Sequence, residues 1–376
     1  MTAASQATAA VHGTDDPTVS VIMIFRDAAR FIGEAMESVI AQTWPHWELL
    51  LVDDGSQDSS RDIASGYRER MPERIRILEH PGHVNLGMSA SRNLGLSSAR
   101  GEYVAFLDAD DVYLPTRLER HVELLGRWPE VGAIQGCVLY WHSWADEAAA
   151  RRQDLPERPP PGLLGGLIDP PALLLLMLET RGSTVPGICS LTVRRPLLRA
   201  IGGSEEGFRA HYEDQVLFAK IYLSTPVIVI EDRLALYRQH PESLTAQADN
   251  GGDAPHRWHT GRQEFLRWLE SWLRERLIED DIVWTSLRAG QREHRPGLMV
   301  RVLRRSLAGL RCVAETVLPP SLSIALVEWW GRRKLALAAL RSARTQSRIS
   351  RQLDASRNSA LPGERDRRDE GSPPPA

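Results

Sequence analysis

The chain is almost without lysine: Lys220 and Lys334 are the only two, so its positive charge is nearly all arginine. That bias fits a GC-rich genome better than an arginine-specific chemistry. Cysteine is scarce as well. Cys137, Cys189 and Cys312 are odd in number, far apart and outside any metal-ligand spacing, which argues against a disulfide framework and fits a reducing cytoplasm. No stretch reaches the roughly 18 uninterrupted apolar residues of a spanning helix. The run Leu173-Leu174-Leu175-Leu176 is short and follows Pro170-Pro171, so it reads as a helix packed on a sheet. Residues Met1 to Pro17 lack the charged-then-apolar order of a signal peptide. A strong excess of charge is missing too. With a formal net charge of -3 over 376 residues, no global field recruits nucleic acid.

What the chain does have is Phe106-Leu107-Asp108-Ala109-Asp110-Asp111, an apolar run that ends in three acids within four positions. Val104 to Leu107 read as a buried strand, which puts the carboxylates where the strand leaves the core. Crowded carboxylates raise one another's pKa unless a cation joins them. Hard oxygen ligands suit Mg2+ or Mn2+, which in turn hold phosphate oxygens. The plain alternative is a loop cap at a strand end.

Apolar runs at Val19 to Phe25, Trp47 to Val52 and Ile75 to Glu79 alternate with helical spacing at Arg30 to Gln42, Ser60 to Arg70 and Ser89 to Ala99. Strands that are apolar throughout and alternate with helices predict an α/β fold, with a mostly parallel central sheet covered by helices on both faces. Ligands of such sheets lie outside the carboxyl ends of the strands. Asp27, Asp53, Asp54, Asp108 and Asp110 all fall at that edge. Farther on, a strand is expected over Gly132 to Tyr140, a charged, Pro-rich excursion over Trp141 to Pro161 and a strand over Ile188 to Arg194. Glu213-Asp214 opens a helix that runs to about Leu223, where acids commonly serve the helix dipole. Val227 to Tyr237 is strand again.

Taken together, Val19-Ser20-Val21-Ile22-Met23, Glu37-Ser38-Val39-Ile40-Ala41-Gln42-Thr43, Glu48-Leu49-Leu50-Leu51-Val52-Asp53-Asp54-Gly55-Ser56, Asn85-Leu86-Gly87, Ser89-Ala90-Ser91-Arg92-Asn93, Leu107-Asp108-Ala109-Asp110-Asp111, Glu213-Asp214 and Tyr237-Arg238-Gln239-His240 resemble an inverting family 2 glycosyltransferase. The resemblance covers about Val19 to Ser243. It implies the GT-A nucleotide-diphospho-sugar transferase fold and transfer of a sugar from a nucleotide diphosphate donor to an acceptor hydroxyl, with inversion at the anomeric carbon. The implied setting is synthesis of surface polysaccharide, glycolipid or other glycoconjugates, with a carbohydrate, a lipid-linked group or another hydroxyl as acceptor.

Residue by residue, the resemblance implies that Ile24, Asp27, Asp53, Asp54, Arg92, Asp108 and Asp110 bind the nucleotide sugar. Asp54, with Asp53 beside it, looks like the acid that accepts hydrogen bonds from base or ribose. A turn with a cap is the plain alternative for that pair. Asp110 looks like the direct ligand of Mg2+ or Mn2+, and Asp108 its partner on metal or ribose. Arg92 is expected to meet phosphate or the Asp108 cluster, or else to form a surface salt bridge. His240 resembles a histidine that closes over diphosphate or metal, against the alternative of an exposed loop residue. Asp214 resembles the general base, its pKa lowered by the helix N-terminus, and Glu213 its companion. Tyr113, Trp141 and Trp144 are candidates for stacking on sugar rings or for core packing.

The chain departs from the pattern after the first strand, where Ile24-Phe25-Arg26-Asp27 replaces the Pro-aromatic-Asn of many relatives. It also lacks a Gln-x-x-Arg-Trp segment, which favours addition of one sugar over processive synthesis. Three other classes compete, of which a nucleotidyltransferase that makes the sugar nucleotide would want a Gly-rich loop after its first strand, where Arg26-Asp27-Ala28-Ala29-Arg30 has no glycine. A haloacid-dehalogenase-like phosphatase uses an Asp-x-Asp string, which Asp108-Ala109-Asp110 matches, but it places that string on its first strand and needs a lysine before its later acidic pair. Here Lys220 follows Glu213-Asp214. A non-catalytic sugar-nucleotide-binding relative would not be expected to keep Asp54, Asp110 and Asp214 together.

The expected organisation is a flexible segment 1–17, a catalytic domain 18–245, a helical C-terminal extension 246–341 and a disordered tail 342–376. Trp258 to Trp284 is helical in pattern, with a stripe of Trp258, Phe265, Trp268, Trp272 and Leu273. Leu298 to Val317 continues with Arg301, Arg304, Arg305 and Arg311, and Trp329-Trp330 precede Arg332, Arg333 and Lys334. Such helices either pack on the catalytic domain or touch anionic lipid. The expected location is therefore the cytoplasm, with peripheral contact at the inner face of the cell membrane as the variant.

Overall fold

Two mostly apolar seven-residue strands are the innermost of the first half of the sheet. These are β1 (Val19–Phe25) and β2 (Trp47–Asp53), and every residue of both is buried. The computed structural model describes residues 17–144, 153–157, 166–209, 211–250 and 254–293, all within one unit that extends to Arg295. The expected N-terminal segment before residue 17, most of the Pro-rich excursion, the 298–317 helix, Trp329-Trp330 and the tail lie outside the described residues.

Helix α1 (Ile32–Ile40) links β1 to β2, and α2 (Ser60–Arg70) links β2 to β3 (Ile75–Glu79). Helix α3 (Met88–Ser98) then leads into β4 (Tyr103–Asp108). These four strands pair in parallel in the order β3-β2-β1-β4. Their register sets the site: Phe25 lies opposite Asp53, and Ile24 lies opposite Asp108. One edge therefore collects the strand-end acids, as the periodicity predicts. Gly95 keeps α3 close to the sheet, because a Cβ there would meet Ile22 Cγ2 at 2.6 Å.

The second half is mixed. A two-residue β5 (Val112–Tyr113) and α4 (Arg117–Arg127) precede β6 (Ala133–Trp141). Short strands β7 (Leu155–Pro156) and β8 (Leu167–Ile168) lead to α5 (Ala172–Glu179). The expected strand at Ile188 to Arg194 begins with a 3-10 turn, Ile188–Ser190, and only Leu191–Arg194 extends as β9. It enters antiparallel between β4 and β6, so the sheet is parallel on one side of β4 and mixed on the other. After α6 (Arg195–Ala200) comes α7 (Glu213–Ser224), and then β10 (Val227–Arg238), which runs parallel to β6 and bulges between Val229 and Ala235.

The C-terminal pattern resolves into three helices, α8 (Leu244–Asn250), α9 (Ala254–Glu275) and α10 (Asp281–Glu293). The single helix expected over Trp258 to Trp284 is broken where Leu277 takes a left-handed φ of 53°, and Asp280 Oδ1 accepts the Ile282 and Val283 N–H groups to start α10. The aromatic stripe faces protein. Phe265, Leu269 and Leu273 are fully buried, Phe265 stacks on Tyr212 with ring centroids 5.9 Å apart, and Arg262 donates to the Leu178 carbonyl. Among the described residues, no helix is long and apolar enough to cross a membrane.

Candidate active site

At the carboxyl edge of β2, the Asp53-Asp54-Gly55-Ser56 segment turns tightly, with Gly55 at φ 81°. Asp53 is fully buried and takes the turn-capping role, its Oδ1 accepting the Ser56 N–H at 2.9 Å. Its Oδ2 is buried without a hydrogen-bond partner, 3.7 Å from Arg61 and 3.9 Å from His83. Asp54 turns the other way. Its carboxylate accepts the Leu86 N–H at 2.8 Å and the Gly87 N–H at about 3.0 Å, pinning the Asn85-Leu86-Gly87 loop. Gly87 has φ 95° and packs against Arg209, so the loop needs glycine there. Ile24 is buried beneath this corner, while Asp27 is exposed in a left-handed conformation and accepts the Gln57 N–H at 2.7 Å.

Arg92 is not on the surface. It projects from α3 into the protein with 2 % of its area exposed, and it donates to both Asp108 Oδ1, at 3.1 Å, and Glu213 Oε2. This one guanidinium joins the end of β4 to the start of α7. Burial works against its charge, but Glu213 and Asp108 more than offset that and raise its pKa. Burial also pushes the Glu213 carboxyl up to about 8, against the pull of Arg92. Asp108 is raised by burial too, with Arg92 opposing and Asp110 adding to the rise.

Neither acid caps α7, whose N-cap is Tyr212 with φ 63° and no side-chain cap bond. Asp214 Oδ1 accepts the Gln215 N–H at 2.7 Å. Burial raises the Asp214 pKa from its ordinary value, so desolvation outweighs the expected lowering by the helix terminus.

His240 is 8 % exposed rather than a solvent-facing loop residue. Its Nε2 lies 3.0 Å from Asp110 Oδ2, its ring packs 4.5 Å from that of Phe31, and its buried Nδ1 has no partner. Asp110 keeps about three-tenths of its side chain exposed. The Asp110 carboxylate at this open edge suits Mg2+ or Mn2+, with phosphate and water oxygens completing the shell, and the imidazole beside it is a nitrogen donor that Mn2+ accepts more readily than Mg2+. No cluster of three or more such ligands occurs among the described residues, and Asp108 has one oxygen already committed to Arg92. Asp111 is a core group: it is 1 % exposed, accepts the Arg238 N–H at 3.0 Å and is raised well above the usual range by burial and by Asp110.

The aromatic candidates separate. Tyr113 is buried and donates to the Phe106 carbonyl. Trp141 and Trp144 lie half-buried with the Arg238 guanidinium over their rings, at 4.5 and 4.9 Å. Phe31 and Glu34, which reach His240 and Arg238 from α1, were not singled out from sequence, since nothing local links positions some 200 apart. Lys220, the one lysine near the acid pair, is spent on the Gly203 carbonyl and Glu205, which leaves the phosphatase arrangement without its cation.

Residues 20–166 match the model of glycosyl transferase family 2. That stretch belongs to glycosyl transferase family 2. The matched stretch ends before α7, so Glu213, Asp214 and His240 lie beyond it. An uncharacterized glycosyltransferase of Nostoc sp., alr2836, is 40% identical over 116 residues, which are 31% of this chain and 35% of that protein. A Bacillus subtilis protein provisionally named teichuronic acid biosynthesis glycosyltransferase TuaG is 42% identical over 109 residues, 29% of this chain and 42% of its own. The chain thus matches half or less of these relatives' lengths. The chain shares its fold with the mannosyltransferase PcManGT from Pyrobaculum calidifontis, at TM-score 0.52 and 18% identity, covering 86% of this chain and 81% of that one. The architecture is therefore a GT-A-like mixed α/β fold with a helical C-terminal region.

Proposed function

We propose that this protein transfers one sugar from a nucleotide diphosphate sugar to an acceptor hydroxyl with inversion at the anomeric carbon. The bridging of Asp108 and Glu213 by Arg92 carries this reading, because it binds the donor-side strand end and the acid pair of α7 into one buried network. A single displacement needs a base on the face opposite the leaving group. Asp214, the neighbour of Glu213, is the residue we assign to take the acceptor's proton. Its raised pKa makes it a stronger base than a surface carboxylate, and it remains the ionised partner on the alkaline side of that value.

Donor binding is assigned to the other edge. Asp27 and Asp54 face the corner for base and ribose, which buried Ile24 and Asp53 support from beneath, and Asp54 retains acceptor sites beyond the loop N–H groups it holds. Asp110 and His240 would hold Mg2+ or Mn2+, with the second oxygen of Asp108 directed to metal or ribose. A bound divalent cation supplies Lewis-acid neutralisation of the leaving diphosphate. PcManGT, solved in complex with GDP-Man and Mn2+, is consistent with such a donor and ion. The name of TuaG supports surface polysaccharide as the product class.

Incubation with UDP- and GDP-sugars, with and without Mn2+, tests the reading. It predicts slow Mn2+-dependent release of nucleoside diphosphate that an acceptor accelerates. Release of inorganic phosphate would contradict it in favour of a phosphatase. Donor binding without any turnover would favour a non-catalytic relative.

A further inference from the structure

We propose, on the metal-assisted reading of Asp110 and His240 given above, that Arg238 is a positioning residue for the metal site, holding the Asp110 main chain while His240 holds its side chain. Arg238 is the last residue of β10 and is 3 % exposed. Its Nε donates to the Asp110 carbonyl oxygen at 2.7 Å, and its backbone N–H donates to Asp111 Oδ1 at 3.0 Å. Two residues later, His240 Nε2 meets Asp110 Oδ2 at 3.0 Å. The end of one strand therefore grips Asp110 from both sides.

The outer end of the guanidinium is fixed as well. It donates to Glu34 Oε2 at 2.5 Å, and its carbon lies 4.5 Å from the Trp141 ring centroid, 4.9 Å from Trp144 and 5.1 Å from Phe31. Phe31 and Trp144 also border the His240 ring. The aromatic faces that sequence offers for sugar stacking thus serve partly to clamp an arginine. A metal-binding carboxylate has to be held within about 0.5 Å of its working position by groups that are themselves immobile. A planar fork that reaches Asp110 and Glu34 together meets that need, whereas a lysine has one compact head and cannot span both.

The test is Mn2+ alone, titrated into the full chain and followed by the EPR signal of the free aquo ion. Arg238→Lys should weaken Mn2+ binding by about tenfold or more, in line with outer-shell partners of metal ligands, with its melting temperature close to that of wild type. Glu34→Gln, at an exposed partner, should weaken binding by about threefold, as for a surface ion pair. A folded Arg238→Lys protein that binds Mn2+ like wild type would overturn the proposal. If Arg238→Lys does not fold, unchanged Mn2+ affinity in Glu34→Gln overturns it instead. Asp110→Asn separates the two levels. Equal Mn2+ binding by wild type and Asp110→Asn contradicts the metal reading and the proposal together, while loss in Asp110→Asn alone contradicts only the role of Arg238.

Discussion

Arg92 of α3 and Glu213 of α7, 121 residues apart in sequence, form a buried ion pair, and the same guanidinium donates to Asp108 at 3.1 Å. Replacing Arg92 with Met leaves two buried carboxyls without their cation. Loss of one partner from a buried pair costs about 3–5 kcal/mol. We expect Arg92→Met to lose about 3 kcal/mol or more at pH 8 by urea unfolding. The loss should be smaller at pH 5, where Glu213 holds a proton and needs no counter-charge.

The same carboxyl makes stability depend on pH. Glu213 moves from 4.5 in the unfolded chain to about 8 in the fold. Between those values the folded protein keeps a proton that the unfolded chain has released, so its contribution is full below the lower value and is lost as pH rises through 8. The stability of wild type relative to Glu213→Gln should therefore fall steadily from pH 5 to pH 8. Transfer should respond in the opposite sense. With Asp214 raised by burial, kcat/KM should climb on the acid side with an apparent pKa above the roughly 3.9 of an ordinary aspartate.

Asp54 is proposed both to contact the nucleotide and to anchor a loop. Asp54→Ala frees the Leu86 and Gly87 N–H groups that its carboxylate accepts. Amide exchange at those two positions should accelerate while exchange within β1 stays slow, and stability should fall by about 2 kcal/mol, as for bonds to a charged acceptor. Donor affinity should drop with the loosened loop. Asp54→Asn, which retains one acceptor oxygen, should lie between.

The first half of the fold was legible because its signals are local. Continuous apolar runs gave β1, β2 and β4, and parallel register then brings Asp53 and Asp108 to one edge without further information. The break between α9 and α10 was also readable, since Asp280-Asp281 is a helix start, but a continuing aromatic stripe masked it. Other features depend on distant packing. Leu191–Arg194, which follows a 3-10 turn, enters antiparallel between β4 and β6, a placement set by strands far from it in sequence. The burial of Arg92 and His240 follows from Glu213 and Phe31, which no spacing rule connects to them. The helix terminus predicts a lowered Asp214 and burial raises it instead, because a helix terminus can be seen in sequence and desolvation cannot.

The division between a donor-binding edge and a proton-accepting acid at α7 is tested most directly by comparing Asp110→Ala with Asp214→Asn in two assays, Mn2+-dependent binding of UDP- and GDP-sugars by calorimetry and sugar transfer. Asp110→Ala should lose the metal-dependent part of donor binding, and Asp214→Asn should bind donor like wild type while losing transfer by about 100-fold or more, as expected for removal of a general base. Equal loss of donor affinity in the two variants, or transfer retained by Asp214→Asn, would contradict that division.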